Sequence, residues 1–272
     1  MFLRIFIGLI VGGFYGMALW FSPIVWACCV CITTVVCNFE LKKIFKNYRY
    51  AYYLVLIINL VLLIFTSLAC IFTGSNWKMI HEHLGVYQNI FILSGIVLII
   101  IYYLLLSNPK ATLPDVACTI FGIIYIGWLP SYLILFRAIP NIQTEAFFLM
   151  FSVAMCDAGA FFTGKFLGRH PFFSHISPKK TVEGAIGGLL TSVIILLLAS
   201  PITHIIWYHS LILGILVAVT AQMGDLTESF LKRTADIKDS GDFLPSHGGI
   251  LDRVDSYIFV GPLIYYYSLF LK

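Results

Sequence analysis

The sequence predicts an all-α, polytopic helical membrane protein of about nine transmembrane helices, N-terminus inside and C-terminus outside. Three observations lead there. Of the 272 residues, 60% are hydrophobic and only 11% charged, where a soluble domain carries about 25% charged residues. Apolar runs recur from end to end, and each approaches the roughly 20 residues that cross a bilayer as a helix. Lysine and arginine gather in alternate connecting segments, as the positive-inside rule requires. The seven cysteines lie inside apolar runs, which suits packing or lipid-facing roles rather than a disulfide framework or a zinc site.

Helices are placed near residues 3–20, 23–38, 51–73, 87–106, 115–136, 145–164, 183–200, 203–230 and 254–270. The first run is kept as a helix because no A-x-A cleavage site stands before the next run begins at Ser22–Pro23. Pro23, Pro114, Pro130, Pro140 and Pro201 fall at or near proposed ends and act as punctuation. The division after Pro201 decides between nine helices and eight. With the N-terminus inside, only Lys78, Arg137 and Lys272 of the 17 basic residues lie on the outer side. Trp20, Trp26, Trp77, Trp128 and Trp207 mostly stand near helix ends, as interfacial anchors do. No internal repeat is detected.

Charge divides the chain. Only Glu40, Glu82, Asp115 and Glu145 of the 13 acidic residues precede Asp157. Residues 1–150 therefore read as N-terminal transmembrane helices giving scaffold and lipid access. Residues 151–272 read as the catalytic transmembrane region, with two long cytoplasmic loops at 165–182 and 231–253.

Asp157 and Asp225 sit on or near the ends of apolar helices, where a carboxylate costs roughly 2.5–3.5 kcal/mol and so faces water or a partner. Asp225, Glu228, Ser229 and Lys232 follow i, i+3, i+4, i+7 and share one helical face. That face points toward Asp252 and Asp255, themselves i, i+3 at the start of the last helix. Carboxylates arriving from two helices suit a hard cation such as Mg²⁺, which takes a few carboxylates plus water and substrate phosphate. The competing reading is interfacial salt bridging of Asp225 or Glu228 with Lys232 or Arg253. Between the two helices, Pro245-Ser246-His247-Gly248-Gly249 offers a sharp turn and close backbone approach to a phosphate. Lys232, Arg233, Lys238 and Arg253 set cations among the acids, a mixture suited to a metal and a polyphosphate held together. The other loop, Ser177-Pro178-Lys179-Lys180-Thr181-Val182-Glu183-Gly184, brings lysines and hydroxyls to a helix N-terminus that favours anions. Thr181 is a candidate N-cap, and Gly184, Gly187 and Gly188 permit close helix packing.

Residues 229–255, from Ser229 through Lys232, Arg233, Lys238, Asp239, Gly241, Pro245, His247, Gly248 and Gly249 to Asp252, Arg253 and Asp255, resemble the signature of the phosphatidate cytidylyltransferase (CDP-diacylglycerol synthase) family. A second block, from Asp157, Gly159, Gly164, Lys165, Gly168, Arg169 and His170 through Ser177–Gly184, is similar to the family's other recognisable stretch, with Ala158 and residues 171–175 less typical. The first 150 residues resemble the family in hydropathy alone. The resemblance implies transfer of CMP from CTP to phosphatidic acid, giving CDP-diacylglycerol and pyrophosphate, with Mg²⁺ required and a second cation beside it. It also implies a homodimer in the bacterial cytoplasmic membrane with its cavity facing the cytoplasm. Carried over by motif position, Asp225 and Asp252 hold metal, supported by Asp255. Lys232, Arg233, Lys238, Asp239 and His247 are the expected catalytic groups. Ser177, Lys179, Lys180, Thr181, Ser229, Gly248, Gly249 and Arg253 are the expected substrate contacts.

Two other functions compete. A sister enzyme would use CTP with another lipid phosphate or a polyprenol. An ion-coupled transporter would also bury carboxylates, but mid-helix and in two related halves. His81-Glu82-His83 reads as a solvated loop, since i, i+2 histidines do not share a helical face. The orientation makes a direct prediction. Alkaline phosphatase, active only outside the cytoplasm, should be active when fused after Lys272 and inactive when fused after Lys110.

Overall fold

The computed structural model describes residues 2–73, 85–105, 111–241 and 248–271. Trp77, Lys78, His81, Glu82, His83, Lys110, Asp242, Pro245, Ser246, His247 and Lys272 lie outside the described residues. The helices are α1 (Phe2–Phe21), α2 (Pro23–Ile44), α3 (Tyr52–Thr73), α4 (Gly85–Leu105), α5 (Leu113–Ala138), α6 (Gln143–Leu167), α7 (Val182–Thr203), α8 (Trp207–Thr234) and α9 (Leu251–Leu271). The protein is all-α, as the sequence predicts. Among the described residues, eight of these helices are long and apolar enough to cross a membrane. Large apolar side chains such as Leu104, Leu198 and Phe270 stand exposed on them, which a bilayer rewards and water does not.

The chain forms two compact units, residues 1–140 with 237–251, and residues 141–236 with 252–272. In the first, polar side chains repair breaks in helical hydrogen bonding. The α5 rod widens to a π-helical turn at Ile124–Trp128. Pro130, expected near a helix end, instead lies inside α5 just past that turn. It has no N–H for the Ile126 carbonyl four residues back. Thr34 Oγ1 on α2 donates to that carbonyl at 3.3 Å, and Asn59 Nδ2 on α3 donates to the Gly122 carbonyl at 3.3 Å. A helix in lipid tolerates proline where neighbours satisfy the freed groups in this way. Arg137, in the last turn of α5, is buried and donates from Nε to the Leu19 carbonyl at 2.5 Å, closing the end of α1.

In the second unit, α6 packs on α7 along a seam of small residues. A Cβ on Gly159 would strike Thr191, one on Gly187 would strike Thr163, and one on Gly188 would come within 2.8 Å of the Cys156 carbonyl. Close approach replaces the hydrophobic drive that lipid removes. The seam carries on to α9, where a Cβ on Gly224 of α8 would lie 2.5 Å from the Asp255 carbonyl. Pro201, expected to end a helix at residue 200, lies inside α7. Its missing N–H removes the helical donor to the Leu197 carbonyl four residues back, and the helix stops at His204, which turns left-handed at φ 56°. Helix α8 then opens at Trp207 rather than residue 203.

Filling the seam should loosen the second unit. Gly187→Leu should cost about 1–3 kcal/mol through overpacking, read as a lower thermal unfolding midpoint in detergent. Ile186→Leu, on the exposed face of the same helix, should stay within about 0.5 kcal/mol of the parent.

Candidate active site

The second unit gathers its charge where the 168–181 loop meets α8 and α9. The loop is internally braced. Glu183, in the first turn of α7, accepts the backbone N–H of Arg169 at 3.0 Å and of His170 at 3.2 Å, and its Oε1 lies 2.5 Å from His170 Nδ1. Across the loop, Phe172 N–H donates to the Lys180 carbonyl at 2.8 Å and Val182 N–H to the His170 carbonyl at 2.9 Å. Thr181 caps α7 as its sequence position predicts, Oγ1 accepting Gly184 N–H at 3.1 Å.

Two contacts join this loop to α8. Lys180 Nζ lies 2.8 Å from Asp225 Oδ2, and Arg233 Nε donates to the Ile176 carbonyl at 3.1 Å. The α8 stripe forms as the spacing predicts. Ser229 Oγ donates to Asp225 Oδ1 at 3.5 Å, one turn away. Lys232 Nζ sits between two acids, 2.5 Å from Glu228 Oε2 and 2.5 Å from Asp252 Oδ1 in the first turn of α9. The side chains of Glu228, Asp252 and Lys232 are only 1%, 10% and 13% exposed, so little water screens the triad and it counts for more than a surface pair. Glu228 Oε1 is buried with no hydrogen-bond partner among the described residues.

Behind this triad lie two further carboxylates. Asp255 is buried, accepts Ser256 N–H at 2.7 Å, and interacts electrostatically with Asp225, Asp157 and Lys232. Asp157 on α6 interacts with Asp225, Lys180 and Arg253. Three helices therefore bring acids together, with lysines and an arginine set among them. Asp225, Asp252, Asp255, Lys180, Lys232, Ser229 and Arg253 share this one unit. Arg233 and Thr181 are committed to the loop, Lys179 is exposed beside it, and Ser177 braces it through its carbonyl, which accepts Lys180 N–H at 3.2 Å.

The remaining expected site residues belong to the first unit. Lys238 and Asp239 are exposed, Gly248 takes a positive φ of 78°, and Gly249 is buried. The φ at Gly248 is one that only glycine adopts freely, as the sharp turn read from the sequence requires. His247 lies outside the described residues. Two residues absent from the expected site set take part in these networks. Glu228 is recoverable from the stripe it shares with Asp225. Glu40 on α2, which accepts hydrogen bonds from Ser240, Ile250 and Leu251, carries no sequence signal at all.

Among the described residues, no three His, Cys, Asp or Glu side chains are grouped closely enough to cage a metal ion. The donors are nonetheless hard oxygens from two helices, with the buried Glu228 Oε1 lacking a partner among the described residues. Such a set fits a Mg²⁺ that arrives on phosphates and keeps its waters, needing one or two carboxylates, and does not fit a dedicated cage.

Comparison with known proteins adds an independent line. The profile of the cytidylyltransferase family matches residues 2–271. A phosphatidate cytidylyltransferase of Synechocystis sp. is 37% identical over 204 residues, covering 64% of this chain and 69% of that protein. One from Bacillus subtilis is 39% identical over 176 residues, covering 62% of this chain and 64% of that protein. The chloroplastic phosphatidate cytidylyltransferase 4 of Arabidopsis thaliana is 40% identical over 190 residues, covering 60% of this chain and 48% of that protein.

The triad yields a stability prediction. Lys232→Met strands two buried carboxylates and should cost about 3–5 kcal/mol, measured as a fall in the detergent unfolding midpoint. Neutralising the partners as well, with Glu228→Gln and Asp252→Asn, should recover most of it. An unchanged midpoint in the single variant would show that Lys232 does not neutralise these acids.

Proposed function

The chain belongs to the cytidylyltransferase family, and from that premise we propose that it transfers CMP from CTP to phosphatidic acid, producing CDP-diacylglycerol and pyrophosphate for phospholipid synthesis. The observation that carries the reading is the pairing in the second unit. The two acids carried over to metal by motif position each hold a lysine assigned to phosphate, Asp225 with Lys180 and Asp252 with Lys232. Salt bridging competed with the metal reading as Asp225 or Glu228 paired with Lys232 or Arg253, and of those pairs Glu228–Lys232 forms; in this proposal ion pairing and metal binding are stages of one cycle. Before substrate, the lysines neutralise the acids. When polyanions arrive, the ammonium groups turn to phosphate and release carboxylate oxygens.

In the reaction, a phosphate oxygen of the lipid attacks the α-phosphorus of CTP. A new P–O–P bond forms, the α–β bond breaks, and pyrophosphate leaves with the electron pair. The nucleophile is already anionic, so no strong protein base is required. Positioning and electrostatics do most of the work in such transfers. Lys232, Arg233 and Lys238 neutralise the triphosphate, and His247, Gly248 and Gly249 orient it. Lys179 and Lys180, with Ser177, Thr181, Ser229 and Arg253 around them, receive the lipid phosphate. Asp225 and Asp252, supported by Asp255 and Asp239, would hold Mg²⁺, which supplies charge neutralisation at the phosphates when bound. The same reading gives nine spans, N-in and C-out, with residues 165–182 and 231–253 on the cytoplasmic face of a bacterial inner membrane. Acyl chains enter from the bilayer, and the working form is a homodimer.

Asp225→Asn and Asp252→Asn test the site. Each should lower CTP-dependent CDP-diacylglycerol formation at least about a hundredfold, the scale of losing one charge-stabilising group, across a range of Mg²⁺ concentrations. Near-parental turnover in both would remove the metal assignment. Thin-layer separation of products with competing lipid phosphates and polyprenol phosphates tests the acceptor, and preference for an acceptor other than phosphatidic acid would reassign the substrate.

A further inference from the structure

The signature loop closes on a carboxylate that charge density alone consigns to the scaffold. Glu40, near the end of α2, is 3% exposed. Its Oε1 accepts the Ile250 N–H at 2.9 Å, and its Oε2 accepts the Leu251 N–H at 2.8 Å and the Ser240 hydroxyl at 2.9 Å. Leu251 opens α9, so these N–H groups belong to the set that no helical turn can satisfy. A carboxylate there also lies at the positive end of the helix dipole.

The surrounding sequence is shaped to the same group. A Cβ on Gly241 would come within 2.7 Å of Glu40 Oε1, and one on Gly249 would collide with the Glu40 carboxylate and with Ser240. Chain on both sides of residues 242–247 therefore meets one side chain. A buried charge is a costly way to hold a loop, and an apolar contact of equal volume is often no less stable. What the carboxylate adds is direction, since three donors must point at two oxygens.

We propose that Glu40 is a positioning residue for CMP transfer, clamping the loop that carries Lys238, Asp239, Gly248 and Gly249 and fixing the start of α9 one residue before Asp252. The role rests on the cytidylyltransferase reading of the preceding subsection. Glutamine keeps the shape but turns an amide N–H₂ toward backbone donors, so Glu40→Gln breaks the clamp without emptying the site.

The full-length protein in detergent is assayed for kcat and for the KM of CTP, alongside hydrogen–deuterium exchange of the peptide covering residues 248–256. Glu40→Gln should lower kcat about tenfold to a hundredfold, as small misplacements of reacting groups do, with KM for CTP changed by less than about threefold. Exchange should quicken in that peptide while α6 and α7 keep the parental rate. Glu40→Asp, which retains the charge, should recover part of both effects. The proposal falls if Glu40→Gln keeps kcat within about twofold of the parent, or if exchange rises equally in every helix, which marks general destabilisation. Failure of the functional reading is separate. It appears as a parent protein making no CDP-diacylglycerol, and it overturns the positioning role of Glu40 while the exchange result still reports whether the clamp exists.

Discussion

Everything in the charged half of this protein depends on one constraint: a carboxylate placed on an apolar helix must have a counter-charge or water. Lys232 meets that demand twice, holding Glu228 on its own helix and Asp252 on the next. Lys180 meets it for Asp225 from a loop. A lone carboxylate at this depth costs a few kcal/mol, and breaking a buried pair costs a similar amount. The cations of this unit are therefore shared among its acids. In the proposed reaction, a metal and a polyphosphate arriving together would keep both sets of charges neutral.

That balance requires helices held close, and glycine supplies the closeness. Where α6 and α7 cross, Gly159 and Gly187 leave room for Thr191 and Thr163 from the facing helix. At Gly224 the backbone of α9 approaches α8 at the level of Asp255. A side chain at that crossing would push α9 outward and take Asp252 away from Lys232. The seam thus belongs to the electrostatics as much as to the packing.

The helices were legible because the length and apolarity of a bilayer-crossing run are local properties. The α8 stripe was legible for the same reason, since i, i+3, i+4 and i+7 are fixed by the helix itself. Helix ends were less so. Pro130 reads as punctuation, yet Thr34 satisfies the Ile126 carbonyl that it leaves open, and that partner is 92 positions away in sequence. Pro201 also reads as a stop, whereas the chain turns at His204. The motif resemblance supplied candidate roles for Asp225 and Asp252, but nothing in spacing says that Lys180 faces one and Lys232 the other.

Glu40 shows where local reading ends. A count of acids along the chain puts it among scaffold residues, because it stands alone in an apolar helix. Its three donors come from 200 to 211 positions downstream, and residues 237–251 group with the N-terminal helices rather than with the charged unit. Physical need explains the arrangement. A loop rich in glycine and charge has little apolar surface with which to hold itself, and the first N–H groups of α9 need acceptors wherever water is excluded. One buried carboxylate answers both needs. The apparent scaffold therefore supplies the acceptor for the Leu251 N–H that opens α9.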